Sequence, residues 1–197
     1  DPAMVGGDEL WRFATETGYF SIAQGYQNVV DPLGDKWSTF FQGIRDCNIF
    51  LDNIARVPDI EERERRLWIA EVEFLKAYYN FNLVMMYGPI PLVKTNLPVN
   101  ASGEEVKLPR APVDSCFNYI VQLIDKASAN LPLTLSDPTN ELGRITLPIA
   151  LSVKAKVRVY AASPLFNGNS DAAGLQNQDG TVLFNPAYSK EKWDSAV

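Results

Sequence analysis

The sequence predicts an all-α fold, a bundle of helices joined by long loops, and three observations lead there. Apolar residues recur at helical spacing in four separate stretches. Glycines and prolines stand between those stretches, where helices must stop. No segment reads convincingly as part of a sheet. At 197 residues the chain has the length of one domain, and 46% hydrophobic residues suffice for a packed core.

Residues 1–35 carry several glycines and many aromatics: Trp11, Phe13, Tyr19, Phe20 and Tyr26. Leu10 to Thr15 could form a short helix. The rest, through Asp31-Pro32-Leu33-Gly34, reads as loop. The first clear amphipathic helix runs from Trp37 to Val57, with the stripe Phe40, Ile44, Cys47, Leu51 and Ile54, and ends before Pro58. The second opens at Asp59 or Ile60, with Glu61 and Glu62 complementing the positive end of its dipole. From Leu67 it is apolar on nearly every side. Leu67, Phe74, Tyr78, Phe81 and Met85 mark one stripe; Trp68, Val72, Leu75, Tyr79 and Met86 mark another. Such a helix is expected to be buried, with Trp68, Tyr78 and Tyr79, and Trp37 of the first helix, in the core. Gly88 is its expected left-handed end.

Pro91 to Pro112 is a long connection. A third helix starts at Pro112-Val113-Asp114 and reaches about Leu131, before Pro132. Leu147 to Ser163 has two readings. Val153 to Tyr160 alternates apolar and charged residues, a strand signal, while Ala150, Val153, Val157 and Tyr160 also fit helical spacing. Length, a capping Thr146 and Pro148 in the first turn favour helix. A Gly/Asn/Asp-rich loop follows until a last helix begins after Ser189. Ala70, Phe74 and Ala77 share offsets with Ala155, Val159 and Ala162, the second-helix spacing of tetratricopeptide units, though neither unit carries the full signature.

Composition removes several function classes. The chain has no histidine, so Ser-His-Asp triads, Cys-His pairs and His-ligated zinc are excluded. Its formal charge of −6 makes it a poor collector of phosphates, and no nucleic-acid partner is expected. A glycosidase needs two opposed carboxylates. Glu71 and Glu73 point about 200° apart on a helix and cannot share a substrate. Glu73 has Lys76 three residues on and reads as a routine surface pair, whereas Glu104 and Glu105 in a loop stay open. Lys154 and Arg158 fall on one helical face with Lys156 opposite, so no three-cation patch forms. No catalytic residue, metal site or cofactor is expected. Cys47 and Cys116 read as small buried hydrophobes, with a disulfide between them left open. No apolar run reaches the roughly 18 residues of a membrane span, and the opening residues carry no signal-peptide pattern. Asp1-Pro2-Ala3-Met4-Val5 and the short helix at the C-terminus suggest a piece of a longer protein, lacking both ends.

Ala70 to Val84, followed by Tyr87-Gly88-Pro89-Ile90-Pro91-Leu92-Val93, closely resembles a segment of the SusD/RagB family of glycan-binding outer-membrane lipoproteins of Bacteroidetes. Three further blocks agree in order: Trp37 with Phe41, Ile44, Cys47-Asn48 and Phe50-Leu51; Val113 to Pro132; and Gly143-Arg144 with Ala150 to Asn167, ending Ala162-Ser163-Pro164-Leu165-Phe166-Asn167. Together they cover roughly residues 37–167. The resemblance implies that Val153 to Tyr160 is helical and that helix pairs are tetratricopeptide-like. It implies that residues 1–197 are the N-terminal helical portion of a single SusD-like domain. It implies a non-enzymatic protein that binds oligosaccharide or polysaccharide at the cell surface, held at the outer membrane by a lipid anchor absent from this chain. Its expected partner is a TonB-dependent transporter of the SusC type.

Sugar binding needs flat aromatic faces with amides or guanidinium nearby for hydroxyls. The N-terminal stretch has both, in Trp11, Arg12, Tyr19, Tyr26, Gln27 and Asn28. The expected substrate-binding residues are Trp11, Arg12, Tyr19, Tyr26 and Asn28. Asn167 and Asn169 fit turn chemistry better than ligand contact. The alternative function is a tetratricopeptide-type scaffold that holds a protein partner without binding sugar.

Overall fold

A computed structural model describes residues 20–196. The chain divides into two units, with the boundary between Thr39 and Phe40. The expected helix over Leu10 to Thr15 lies outside the described residues. Within the first unit, the loop expected after it contains one helical turn, α1 (Phe20–Ala23).

The remaining helices are α2 (Trp37–Asn53), α3 (Glu62–Tyr87), α4 (Val113–Ser128), α5 (Leu147–Ala162) and the short α6 (Lys190–Asp194). Single 3-10 turns follow α2 at Ile54–Arg56 and precede α6 at Ser170–Ala172. The described residues hold no strand, only an isolated antiparallel bridge between Gln176 and Val182. The segment with two sequence readings, Val153 to Tyr160, is therefore helix. Pro148 sits in its first turn as expected, but Thr146 makes no side-chain cap bond. Ser189 makes none either at the start of α6.

Glu61 stands just before α3, and Glu62 and Glu64 occupy its first turn. The helix ends at Gly88, whose φ of +71° suits glycine and whose N–H reaches Val84 O at 2.9 Å. α3 packs along α4, and α4 along α5. Their shared core holds Phe74, Phe81, Ile120, Ile124 and Val157, closed at one end by Phe166 and Phe184. The ring of Phe166 meets Phe117 edge-on at 5.1 Å and stacks with Phe184 at 6.2 Å.

The connection from Gly88 to Pro112 is pinned where it leaves and where it returns. Ala111 N–H bonds Ile90 O at 2.9 Å, and Val113 N–H bonds Leu183 O at 2.9 Å. Cys116 is buried under this closure, and Cys47 is buried on α2; both are free thiols. The small-hydrophobe reading of both cysteines is the one the fold adopts.

α2 and α3 correct three expectations. Trp68 is 37% exposed and Tyr78 is 42% exposed, and Trp37 on α2 is 36% exposed. Only Tyr79, half-buried against Phe40 with ring centroids 5.9 Å apart, packs inward as expected. The inward face of α3 instead combines Ala70, Phe74, Ala77, Phe81 and Val84 with Glu73, Lys76 and Asn80. The helix had two apolar stripes, and periodicity alone does not say which faces a neighbour. The Ala70/Phe74/Ala77 spacing lies in the core, whereas Ala155 and Val159 on α5 are exposed and only Ala162 is buried.

Candidate functional site

In the first unit the site begins with the way α1 ends. Gly25 has φ +80°; its N–H bonds Ile22 O at 2.9 Å, and Tyr26 N–H bonds Ser21 O at 3.0 Å. These two bonds, with a left-handed glycine between them, form a Schellman cap. A side chain at position 25 would strain this backbone although nothing stands within 4 Å of it. The cap delivers Tyr26 to solvent at 66% exposure.

The next residues spend their amides on the loop. Asn28 Oδ1 accepts from Val30 N–H at 3.0 Å and Asp31 N–H at 2.8 Å, and its Nδ2 donates to Tyr26 O at 3.2 Å. Gln27 Oε1 accepts from Leu33 N–H at 2.7 Å. Asn28 thus shapes the turn that holds Tyr26, and both oxygen bonds leave its amide nitrogen a spare hydrogen. Of the five expected binding residues, Tyr26 and Asn28 stand together here. Trp11, Arg12 and Tyr19 lie outside the described residues.

The second unit holds the charges that sequence reasoning placed wrongly. Glu73 and Lys76 are not a surface pair. They are 2% and 3% exposed. Glu73 pairs with Lys126 of α4. Lys76 donates to Asn48 Oδ1 of α2 and, at 2.6 Å, to Lys94 O of the long connection. Asn48 Nδ2 reaches Val93 O at 3.4 Å and Asn96 Oδ1 at 3.3 Å, and Asn96 Nδ2 returns to Arg45 O at 3.2 Å. Burial holds the Lys76 ammonium below its ordinary pKa, opposed by neighbouring Cys47, Asp52 and Glu73. The same burial pushes the Cys47 thiol up to about 11 and the Tyr119 hydroxyl up to about 12. One sequence signal could have found this cluster: Glu73, Lys76 and Asn80 recur at spacings of three and four, on one helical face within a largely apolar run.

The other carboxylates weighed as catalytic candidates, Glu71, Glu104 and Glu105, are occupied. Arg144 grips Glu71 with two parallel bonds of 2.9 Å and also bonds Glu141 at 2.9 Å. Those bonds to Glu71 raise the guanidinium pKa. Glu105 accepts from the Ser102 amide and hydroxyl at 2.7 and 2.8 Å, and Glu104 pairs with Lys107 at 2.8 Å. Asn167 is buried, bonding Ser189 O at 2.9 Å and accepting from Ser189 N–H at 2.8 Å. Asn169 caps the 3-10 turn through Asp171 N–H at 3.0 Å. Asn169 serves a turn as expected, whereas Asn167 ties the segment after α5 to the start of α6, 22 positions on.

Clefts open on the second unit. One, of about 350 Å³, lies between α4, α5 and α6 and is lined by Asp114, Arg158 and Lys192. Lys192 bonds Asp114 and Phe166 O, and Arg158 Nη1 bonds Ser195 O, while the buried Arg158 Nε has no partner among the described residues. Another, of about 390 Å³, is lined by the long connection and the loop before α6. Among the described residues no group of three or more metal-ligating side chains gathers. No described helix is long and apolar enough to cross a membrane.

A SusD-like family described as "Starch-binding associating with outer membrane" matches residues 10–158. The chain belongs to the SusD-like family. Its helices match the solved structure of BT4246 with a TM-score of 0.75 and 35% identity, over 81% of this chain and 28% of that one. A solved laminarin-binding SusD-like protein matches with a TM-score of 0.57 and 31% identity, over 72% of this chain and 31% of that one. A SusD-like protein of Formosa agariphila is 26% identical over 152 residues, which are 67% of this chain and 28% of its relative. The chain thus spans under a third of the length of each of these proteins. The all-α SusD-like architecture expected from the four blocks is the one observed.

Proposed function

We propose that this chain is the N-terminal helical portion of a single SusD-like domain that binds oligosaccharide or polysaccharide at the cell surface. The observation that carries the reading is Tyr26, a two-thirds exposed ring on a capped turn, braced by amide bonds, within the family-matched residues 10–158. An exposed aromatic face held by short-range hydrogen bonds covers the apolar face of a pyranose with little loss of entropy on binding. Asn28, Arg12, Trp11 and Tyr19 complete the proposed site by their nearness in sequence.

Catalysis is not part of this reading. Glu71 is neutralised by Arg144, and Glu104 and Glu105 are held by local partners. In the full-length protein the function is the capping of a SusC-type TonB-dependent transporter, with a lipid anchor holding the assembly to the outer membrane.

Isothermal titration against a panel that includes laminarin oligosaccharides tests the proposal. Binding that weakens several-fold in Tyr26→Ala, and in Trp11→Ala or Tyr19→Ala, is the expected result. A folded protein that binds none of the panel sinks the glycan reading and leaves the protein-scaffold alternative. Unchanged affinity in all three variants sinks the site assignment alone.

A further inference from the structure

The cleft of about 390 Å³ in the second unit is built differently from the Tyr26 loop. Its lining carries Lys94, Arg110, Ser115, Asn177, Asp179 and Thr181 over apolar walls that include Leu92 and Leu108. Two cations and one carboxylate make a net positive recess in a chain whose formal charge is −6.

Neither cation has a carboxylate partner among the described residues. The Lys94 ammonium stands over the ring of Tyr119, 5.4 Å from its centroid, and Arg110 is exposed. Both side chains are exposed and carry no carboxylate partner, so their charge is open to an anion that enters the recess.

Both cations sit on fixed backbone. Lys76, buried in the core, donates to Lys94 O at 2.6 Å. Asn177 Nδ2 donates to Arg110 O at 2.8 Å. The adjoining Ala111 N–H is bonded to Ile90 O at 2.9 Å. Across the cleft, Asp179 Oδ1 accepts from Thr181 N–H at 2.9 Å, which holds its carboxyl below the usual range and therefore charged. A guanidinium grips a carboxylate or sulfate through two N–H groups, and an ammonium adds a point charge. Asp179 and the Ser115 and Thr181 hydroxyls suit the hydroxyls of an attached ring.

We propose that this cleft binds the acidic group, carboxylate or sulfate, of a charged oligosaccharide. It is a second subsite, in the second unit, and it rests on the glycan-binding reading for the sugar to which the acid is attached. The buried Lys76 cluster thereby acquires a purpose beyond stability, because it positions the main chain of Lys94.

The test is titration of the full chain with oligogalacturonate, with laminarin oligosaccharide and with inorganic sulfate. Each is run on the wild type and on Lys94→Gln, Arg110→Gln and Arg110→Lys. The expected result is oligogalacturonate binding that weakens at least tenfold in Arg110→Gln, weakens less in Arg110→Lys, and falls with added salt. Laminarin binding, read at the Tyr26 loop, stays unchanged in these variants. Circular dichroism checks folding, which exposed unpaired side chains should not disturb. Three outcomes overturn the proposal: oligogalacturonate binding no tighter than sulfate, equal binding by the Arg110→Gln variant, or no salt dependence. Failure of laminarin alone to bind removes the Tyr26 reading and leaves this one standing.

Discussion

The cluster around Lys76 and the loop around Tyr26 use the same chemistry toward opposite ends. Both are networks of amides and main-chain carbonyls. In the cluster, Asn48 and Lys76 turn their polar atoms inward, and every bond ties α2, α3 and the long connection together. In the loop, Asn28 and Gln27 bond only to residues within six positions, and the product is an aromatic ring standing in solvent. Long-range bonds in a dry interior hold a fold, because an unpaired partner left there is costly. Short-range bonds at the surface hold a shape, because water can replace them one at a time.

That contrast breaks first at Lys76. Lys76→Met leaves Asn48 Oδ1 and Lys94 O without their donor and should cost about 3 kcal/mol of unfolding free energy by urea titration. A loss below about 0.5 kcal/mol would move the cluster into the class of the surface loop.

The next effect is read in pH. Cys47 keeps its proton up to about 11 in the folded chain against 9.0 when unfolded. The stability this contributes is present below pH 9 and is lost as pH rises through 11. Lys76 acts in the opposite sense, since a lowered pKa disfavours the fold most at low pH and is relieved on the way to its unfolded value. Comparing wild type with Cys47→Ala separates the thiol. The wild type should lose roughly 2 kcal/mol more than the variant between pH 8.5 and 11. Parallel pH slopes would mean that the thiol is not desolvated.

Smaller effects belong to the loop. Gly25→Ala should cost about 1 kcal/mol in the turn, because an alanine must adopt a positive φ there. Hydrogen exchange at the Tyr26 amide should speed up while the global melting midpoint stays within a few degrees. A large drop in that midpoint would show the loop to be part of the core's cooperative unit. Smallest of all, Tyr26→Ala should change stability by less than about 0.5 kcal/mol, while glycan affinity falls. A stability loss of several kcal/mol would make the ring a packing residue.

Much of the helical plan was legible in the residues. Pro58, Gly88, Pro112, Pro132 and Pro164 bracket helices that the structure places within a few positions. Chain stiffness and missing donors act locally, so punctuation reads directly. Val153 to Tyr160 was the exception, since its apolar residues satisfied two periods at once. The Tyr26 loop was half legible: an aromatic in a glycine-rich loop is visible, but the Schellman cap that presents it depends on φ at Gly25. The cleft at Lys94 and Arg110 was invisible, because its residues come from segments about 70 positions apart in sequence.

The sequence by itself determined the four long helices, their approximate ends, the burial of both cysteines and, through four ordered blocks, the family. Only the tertiary structure decided which face of α3 turns inward. Trp68 and Tyr78 are the more apolar side chains, yet Glu73 and Lys76 are the buried ones. The physical reason is that burying a polar group depends on a partner, not on its own hydropathy. Lys126, Asn48 and Lys94 O supply those partners from other elements, and no helical period records them.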